Sequence, residues 1–148
     1  MYRRYEGAAD GLGRTPDGWF DTGDVGSIDA AARFSFAGRT KDLLRVKGIN
    51  VSPVEVETTL ADHPAVESAY VVGLPADSLD QRIVALIVAV DECERPEVGD
   101  LSRWASERLS HYKRPEGYVF IDRSDVVLGP TSKPQRDRLA ALATMRGA

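Results

Sequence analysis

Ile83-Val84-Ala85-Leu86-Ile87-Val88-Ala89-Val90, lying between Arg82 and Asp91, is the longest uninterrupted apolar run in the chain. It falls far short of the roughly 20 residues that a helix needs to cross a bilayer. Its β-branched content predicts a buried strand instead. Residues 66–74 form a second β-branched run, separated from the first by Pro75-Ala76-Asp77-Ser78-Leu79-Asp80. The pair predicts two antiparallel strands, and residues 118–121 (Tyr-Val-Phe-Ile) predict a third. Between them, Val98, Leu101, Trp104, Ala105, Leu109 and Tyr112 recur at three- and four-residue steps, with Asp100, Arg103 and Glu107 opposite. That spacing predicts an amphipathic helix stopped before Pro115.

Upstream, residues 43–47 and 49–51 predict a small hairpin turning near Lys47-Gly48. Ser52-Pro53-Val54-Glu55 then supplies an N-cap, a proline at the first helical position and a glutamate at the third. A helix follows with Val54, Val56, Leu60 and Ala61 on its apolar side, ending at His63-Pro64. A last helix is expected over residues 135–144, after a loop holding Gly129 and Pro130. The order of elements predicts an α+β domain of about 105 residues, with helices packed on a small, mainly antiparallel sheet. The first 37 residues differ in texture, carrying Gly7, Gly11, Gly13, Gly18, Gly23 and Gly26. Strands at 24–28 and 33–37 around Asp29-Ala30-Ala31-Ala32 make a hairpin with too little apolar surface to fold alone. This short β-rich segment is expected to be the edge of something larger or to lean on the rest of the chain, the texture changing near residue 40.

Composition excludes several classes. With 43% hydrophobic and 28% charged residues among 148, the chain is neither disordered nor fibrous. Met1-Tyr2-Arg3-Arg4-Tyr5 has no apolar stretch behind it, so neither a signal peptide nor an anchor is expected, and a cytoplasmic location is the default. A lone cysteine, Cys93, excludes an internal disulfide, and with only His63 and His111 no structural zinc site is expected. A net charge of −4 argues against nucleic acid as a partner. The C-terminal stretch is locally basic, with Lys133, Arg136, Arg138 and Arg146 against Asp137. It is a solvated helix face or a place to meet an anion. The motifs of serine hydrolases, P-loop enzymes, dinucleotide-binding folds and zinc proteases are absent from the sequence, so independent catalysis is not expected.

What remains are polar residues in turn-rich contexts: Asp17-Gly18-Trp19-Phe20-Asp21-Thr22-Gly23-Asp24, Gly38-Arg39-Thr40-Lys41-Asp42, Val46-Lys47-Gly48 followed by Ser52-Pro53-Val54-Glu55-Val56-Glu57, Leu109-Ser110-His111-Tyr112-Lys113-Arg114-Pro115, and Thr131-Ser132-Lys133. In this order they resemble the adenylate-forming superfamily, which includes acyl-CoA synthetases and the adenylation domains of peptide synthetases. The resemblance implies that residues 1–39 are the end of a large N-terminal adenylation domain and 40–148 a mobile C-terminal lid domain. It implies a two-step reaction using ATP with Mg²⁺ and then coenzyme A, with the fragment inactive and binding none of these alone. Asp24 would accept hydrogen bonds from the ribose hydroxyls of ATP, Arg39 would assist nucleotide binding, and Gly48 would lie along the pantetheine path. Lys41 would be the hinge and Lys133 the catalytic lysine of adenylation. The implied partners are the N-terminal domain of the same polypeptide, a small carboxylate and a lysine acetyltransferase acting on Lys133. Ser132 stands where the family usually has glycine, and Pro134 follows the lysine. Lys41 and Val51-Ser52-Pro53-Val54-Glu55-Val56-Glu57 are more like CoA ligases than like peptide-synthetase adenylation domains. The alternatives are such an adenylation domain, or a stand-alone binding module of the same fold.

Overall fold

The computed structural model describes residues 16–76, 80–91, 95–130 and 133–147. Met1-Tyr2-Arg3-Arg4-Tyr5, Gly7, Gly11, Gly13, Cys93 and Thr131-Ser132 lie outside the described residues. The chain divides into two compact units, Met1–Lys41 and Asp42–Ala148. The first holds an antiparallel hairpin of β1 (Asp24–Ile28) and β2 (Phe34–Arg39), with a register shift at Val25/Gly26. Asp29 closes its loop, accepting the amides of Ala31 at 2.9 Å and Arg33 at 3.0 Å and the Arg33 Nε–H at 2.7 Å. Those donors hold the Asp29 carboxyl below the usual carboxylate range. The second expected strand therefore starts one residue later and runs two residues further than 33–37.

In the second unit, β3 (Leu44–Val46) and β4 (Ile49–Val51) form the small hairpin, and Lys47 (φ 49°) and Gly48 (φ 77°) make its turn. Two successive left-handed residues are what a tight two-residue hairpin of this hand requires. α1 (Pro53–Ala61) starts where Ser52 caps it, its hydroxyl accepting the Glu55 amide at 3.4 Å. The buried stripe of α1 is Pro53, Val56 and Leu60, at steps of three and four. Val54 and Ala61, expected inside, are exposed because that stripe turns them outward.

The main sheet has the order β5 (Val66–Pro75), β6 (Gln81–Ala89), β7 (Gly117–Phe120). β5 and β6 are antiparallel, while β6 and β7 are parallel, joined through α2 (Val98–Arg108). The sheets together are mainly antiparallel, as expected, with this one parallel pair. Residues 83–88 are each no more than 3% exposed, so β6 is covered on both faces. Ile83, Ala85 and Ile87 join Val56, Leu60, Leu101 and Ala105 of α1 and α2 in one core. Val84, Leu86 and Val88 join Val119, Leu139 and Ala143 in a second, under α3 (Arg136–Met145). Each buried Val, Leu or Ile side chain among these stabilises by roughly 1.5–3 kcal/mol on leaving water.

α2 ends earlier than its apolar spacing predicted. Leu109 is already extended, and Tyr112 lies on a separate 3₁₀ turn, His111–Lys113. The cause is Arg114, whose guanidinium donates to the Leu109 carbonyl at 3.0 Å and the Ser106 carbonyl at 2.8 Å, taking groups that a longer helix would have used. Val98, expected on the buried stripe, is 47% exposed at the first position of the helix. No helix among the described residues is long and apolar enough to cross a membrane.

Tyr118 presses on the first core, and its hydroxyl is buried with no hydrogen-bond partner among the described residues. Burial pushes its pKa up from 10.0 to about 12. Tyr118→Phe should therefore raise stability by about 1 kcal/mol at neutral pH, measured by urea unfolding, because it removes an unsatisfied polar group. The unfolded chain gives up this proton first as pH climbs past 10, so wild-type stability falls between pH 10 and about 12. In Tyr118→Phe that part of the alkaline loss should vanish.

Candidate functional site

In the first unit, Asp21 and Thr22 build the turn that precedes β1. The Gly23 amide donates to Asp21 Oδ1 at 2.8 Å and the Asp24 amide to Thr22 Oγ1 at 3.2 Å, with Gly23 at φ 69°. The Asp24 carboxylate is thereby left for another use. Asp24 and Arg39 are register partners across the hairpin, and Arg39 Nε meets Asp24 Oδ1 at 2.9 Å. The two side chains are 34% and 46% exposed, so the pair stands in solvent and adds little to stability. Two residues widely separated in sequence are brought together at one end of a hairpin. The Thr40 amide, donating to the Gly23 carbonyl at 2.8 Å, ties that end shut. Lys41 sits exposed in the 3₁₀ turn Thr40–Asp42, at the point where one compact unit ends and the next begins.

In the second unit, Gly48 is exposed at the tip of the β3–β4 hairpin, and a Cβ added to it would meet no atom within 4 Å among the described residues. The hairpin is clasped from the start of β6. Asp80 Oδ1 accepts the Gly48 amide at 3.2 Å, and Gln81 Oε1 accepts the Arg45 amide at 3.0 Å. Lys133 is exposed in the loop before α3. Its carbonyl accepts the Gly129 amide at 2.8 Å, Pro134 bridges Leu128, and the Gln135 amide donates to the Val127 carbonyl at 3.0 Å. Gly48 and Lys133 are thus held by different supports.

Lys113 and Arg114, singled out in the sequence, are joints. Lys113 Nζ reaches both oxygens of Glu55 at 2.6 and 2.8 Å, tying the 3₁₀ turn to the first turn of α1. The basic tail is only partly a solvated face. Arg138 is exposed, but Arg146 donates to the Phe120 carbonyl at 2.6 Å and to Asp125 at 2.8 Å. Arg136 is bound to Glu57 at 2.7 Å across 79 residues. These pairings, and the Asp80 and Gln81 clasp, were missed in the sequence. Glu57 lay within a quoted motif and Arg136 within the basic tail, but nothing local joins them.

The second unit is thus a three-layered α+β domain, with helices on both faces of its sheet, a glycine-turned hairpin and a lysine-bearing loop, and a hairpin with facing Asp24 and Arg39 precedes it in the chain. Residues 55–127 match the family described as AMP-binding enzyme C-terminal domain, and the chain belongs to the adenylate-forming family through it. It is 38% identical over 138 residues to the acyl-CoA ligase ppsA of Aspergillus oryzae, covering 86% of this chain and 24% of that protein. It is also 38% identical over 125 residues to a sulfoacetate–CoA ligase of Cupriavidus necator, covering 84% and 24%. Among solved structures, an anthranilate CoA ligase, AuaEII, in complex with anthranoyl-AMP matches with a TM-score of 0.73 at 37% identity, over 85% of this chain and 24% of that one. The chain spans about a quarter of the length of the relatives it matches.

Because the space around Gly48 is open, the cost of a side chain there is backbone strain alone. Gly48→Ala should lower stability by about 1–2 kcal/mol and Gly48→Asn by less, since asparagine tolerates the left-handed region better. Denaturant unfolding of the two variants measures the difference.

Proposed function

We propose that this chain is the C-terminal part of an ATP-dependent, AMP-forming acyl- or aryl-CoA ligase. What carries the reading is likeness to CoA ligases along 84–86% of the chain, with Lys41, Gly48 and Lys133 all exposed in turns and loops. In the first half-reaction a carboxylate oxygen attacks the α-phosphorus of ATP, which is held with Mg²⁺, and pyrophosphate leaves. In the second the thiol of coenzyme A attacks the acyl carbon and AMP leaves.

Lys133 supplies a compact cation beside the carboxylate and α-phosphate, where charge builds during adenylation. Asp24 accepts the ribose hydroxyls. Arg39, on Oδ1 of that carboxylate, holds it in place for them. Lys41 lies where a few backbone dihedrals would absorb the rotation between the two half-reactions. Gly48 leaves room for the pantetheine arm. A methyl there meets no atom within 4 Å among the described residues, so a thioester defect beyond the stability cost is expected to belong to the path of the thiol. The N-terminal domain brings the carboxylate pocket, which is why this chain alone carries no activity. Acetylation of Lys133 by a lysine acetyltransferase would neutralise its charge and stop the first step.

The test uses the ligase that contains this domain. Lys133→Ala should lower pyrophosphate exchange by about a hundredfold or more, while thioester formation from a supplied acyl-adenylate persists. The 148-residue chain by itself should give no pyrophosphate exchange with any carboxylate. Exchange above background would overturn the inactivity of the chain alone, whereas tight coenzyme A binding by the isolated chain without exchange would favour the stand-alone binding module instead.

A further inference from the structure

The proposed adenylation lysine is exposed, and its loop is held by only a few backbone bonds before α3 begins. At the first residue of that helix lies the densest set of charge-assisted hydrogen bonds among the described residues. Arg136 Nη1 donates to Glu57 Oε1 at 2.7 Å and to the Val71 carbonyl at 2.6 Å, and Nη2 reaches Glu57 Oε2 at 3.3 Å. Glu57 Oε1 also accepts the Val71 amide at 2.8 Å. The Glu57 side chain is only 17% exposed. Three elements meet at this point: α1 through Glu57, β5 through Val71 and α3 through Arg136.

β5 is an edge strand of its sheet. An edge residue leaves an N–H and a C=O without a neighbouring strand. At Val71 the carboxylate takes the N–H and the guanidinium donates to the C=O, so the ion pair caps the open edge as a further strand would. A bidentate pair fixes direction as well as distance, and arginine alone among the cations offers that fork. A lysine would keep the charge and lose the second bond. The position of Arg136 is therefore set from α1 and β5, three residues after Lys133.

From Lys133 to Arg136 the chain has little freedom. Pro134 bridges Leu128, and the Gln135 amide is spent on Val127. Fixing Arg136 fixes one end of the loop, and the bond from Gly129 to the Lys133 carbonyl fixes the other. We propose that Glu57 and Arg136 are positioning residues for adenylation, clamping the Lys133 loop to the edge of β5. This rests on the reading of Lys133 given above and adds two residues to that site.

The clamp is measured first in the 148-residue chain by amide hydrogen exchange. In Arg136→Leu and Glu57→Gln, the amides of Gly129 and Gln135 should exchange about tenfold faster or more, while those of Leu86 and Ile87 in the central strand keep their rates. In the ligase, Arg136→Leu should lower pyrophosphate exchange by about a hundredfold, with thioester formation from supplied acyl-adenylate within about twofold of wild type. Arg136→Lys should recover only a small part, because charge without the fork does not set direction. The double variant should be no worse than the poorer single one, since the two residues act as a unit. Unchanged exchange at Gly129 and Gln135 would overturn the clamp. A parallel fall of both half-reactions together with lower stability would overturn the positioning role and leave only a structural one. If Lys133→Ala is inactive in adenylation while the Arg136 variants are not, this inference alone fails. If Lys133→Ala keeps full adenylation, the reading of Lys133 fails, and the catalytic consequence of the clamp with it.

Discussion

A central strand that is buried on both sides governs this domain. Along β6, successive side chains point to opposite faces, and residues 83–88 are at most 3% exposed. Neither face can be left to water without losing several buried aliphatic side chains at roughly 1.5–3 kcal/mol each. The chain must therefore place helices on both sides. α1 and α2 cover the face of Ile83, Ala85 and Ile87, and α3 covers the face of Val84, Leu86 and Val88. α3 is thus no appendage. The loop that precedes it, with Lys133, is drawn onto the domain because Leu139 and Ala143 are needed to close the second core.

Local chemistry made most of this legible. Pro53 after Ser52 marks the start of α1, Lys47-Gly48 marks a turn that only left-handed backbone can make, and the eight apolar residues from Ile83 mark the strand between two cores. Most of the parts that were not legible share one cause, which is a side chain acting far from its own position. α2 stops at Arg108 because Arg114 folds back onto the carbonyls of Ser106 and Leu109. Val54 has the right residue type for the core and the wrong angle on the helix. Arg136 and Glu57 stand 79 residues apart, and no periodicity couples them. In the site, the turn positions were readable, since glycine and proline announce them. The facing of Asp24 and Arg39 depended on hairpin register, which a bulge at Val25/Gly26 shifts.

The exposed residues assigned to chemistry lie where regular structure stops, yet their backbones are not left loose. Gly48 is held by Asp80 and the neighbouring Arg45 amide by Gln81, and the Lys133 loop by short backbone bonds ending at Arg136. In the hairpin, side chains from a distant part of the chain bind main-chain amides; in the Lys133 loop the main chain binds itself, and the Arg136 side chain ties its end to the Val71 carbonyl. That arrangement leaves the side chains proposed for chemistry open to solvent while fixing the backbone that carries them, as preorganisation of such a site requires.

The two loops also have separate anchors, one at the start of β6 and the other on the edge of β5. For a domain proposed to serve two chemical steps in turn, this separation matters. If both loops hung from one anchor, any change that improved the placement of the lysine proposed for adenylation would disturb the hairpin proposed to face the thiol. With distinct anchors on a common rigid strand pair, each loop can be tuned without moving the other, because couplings between sites with no shared partner are small. The doubly buried β6 supplies the rigidity for both. It is paired to β5 along nearly its whole length, from Val66 opposite Ala89 to Pro75 opposite Gln81. The strand that decides the fold is thus also the frame against which both working loops are aligned.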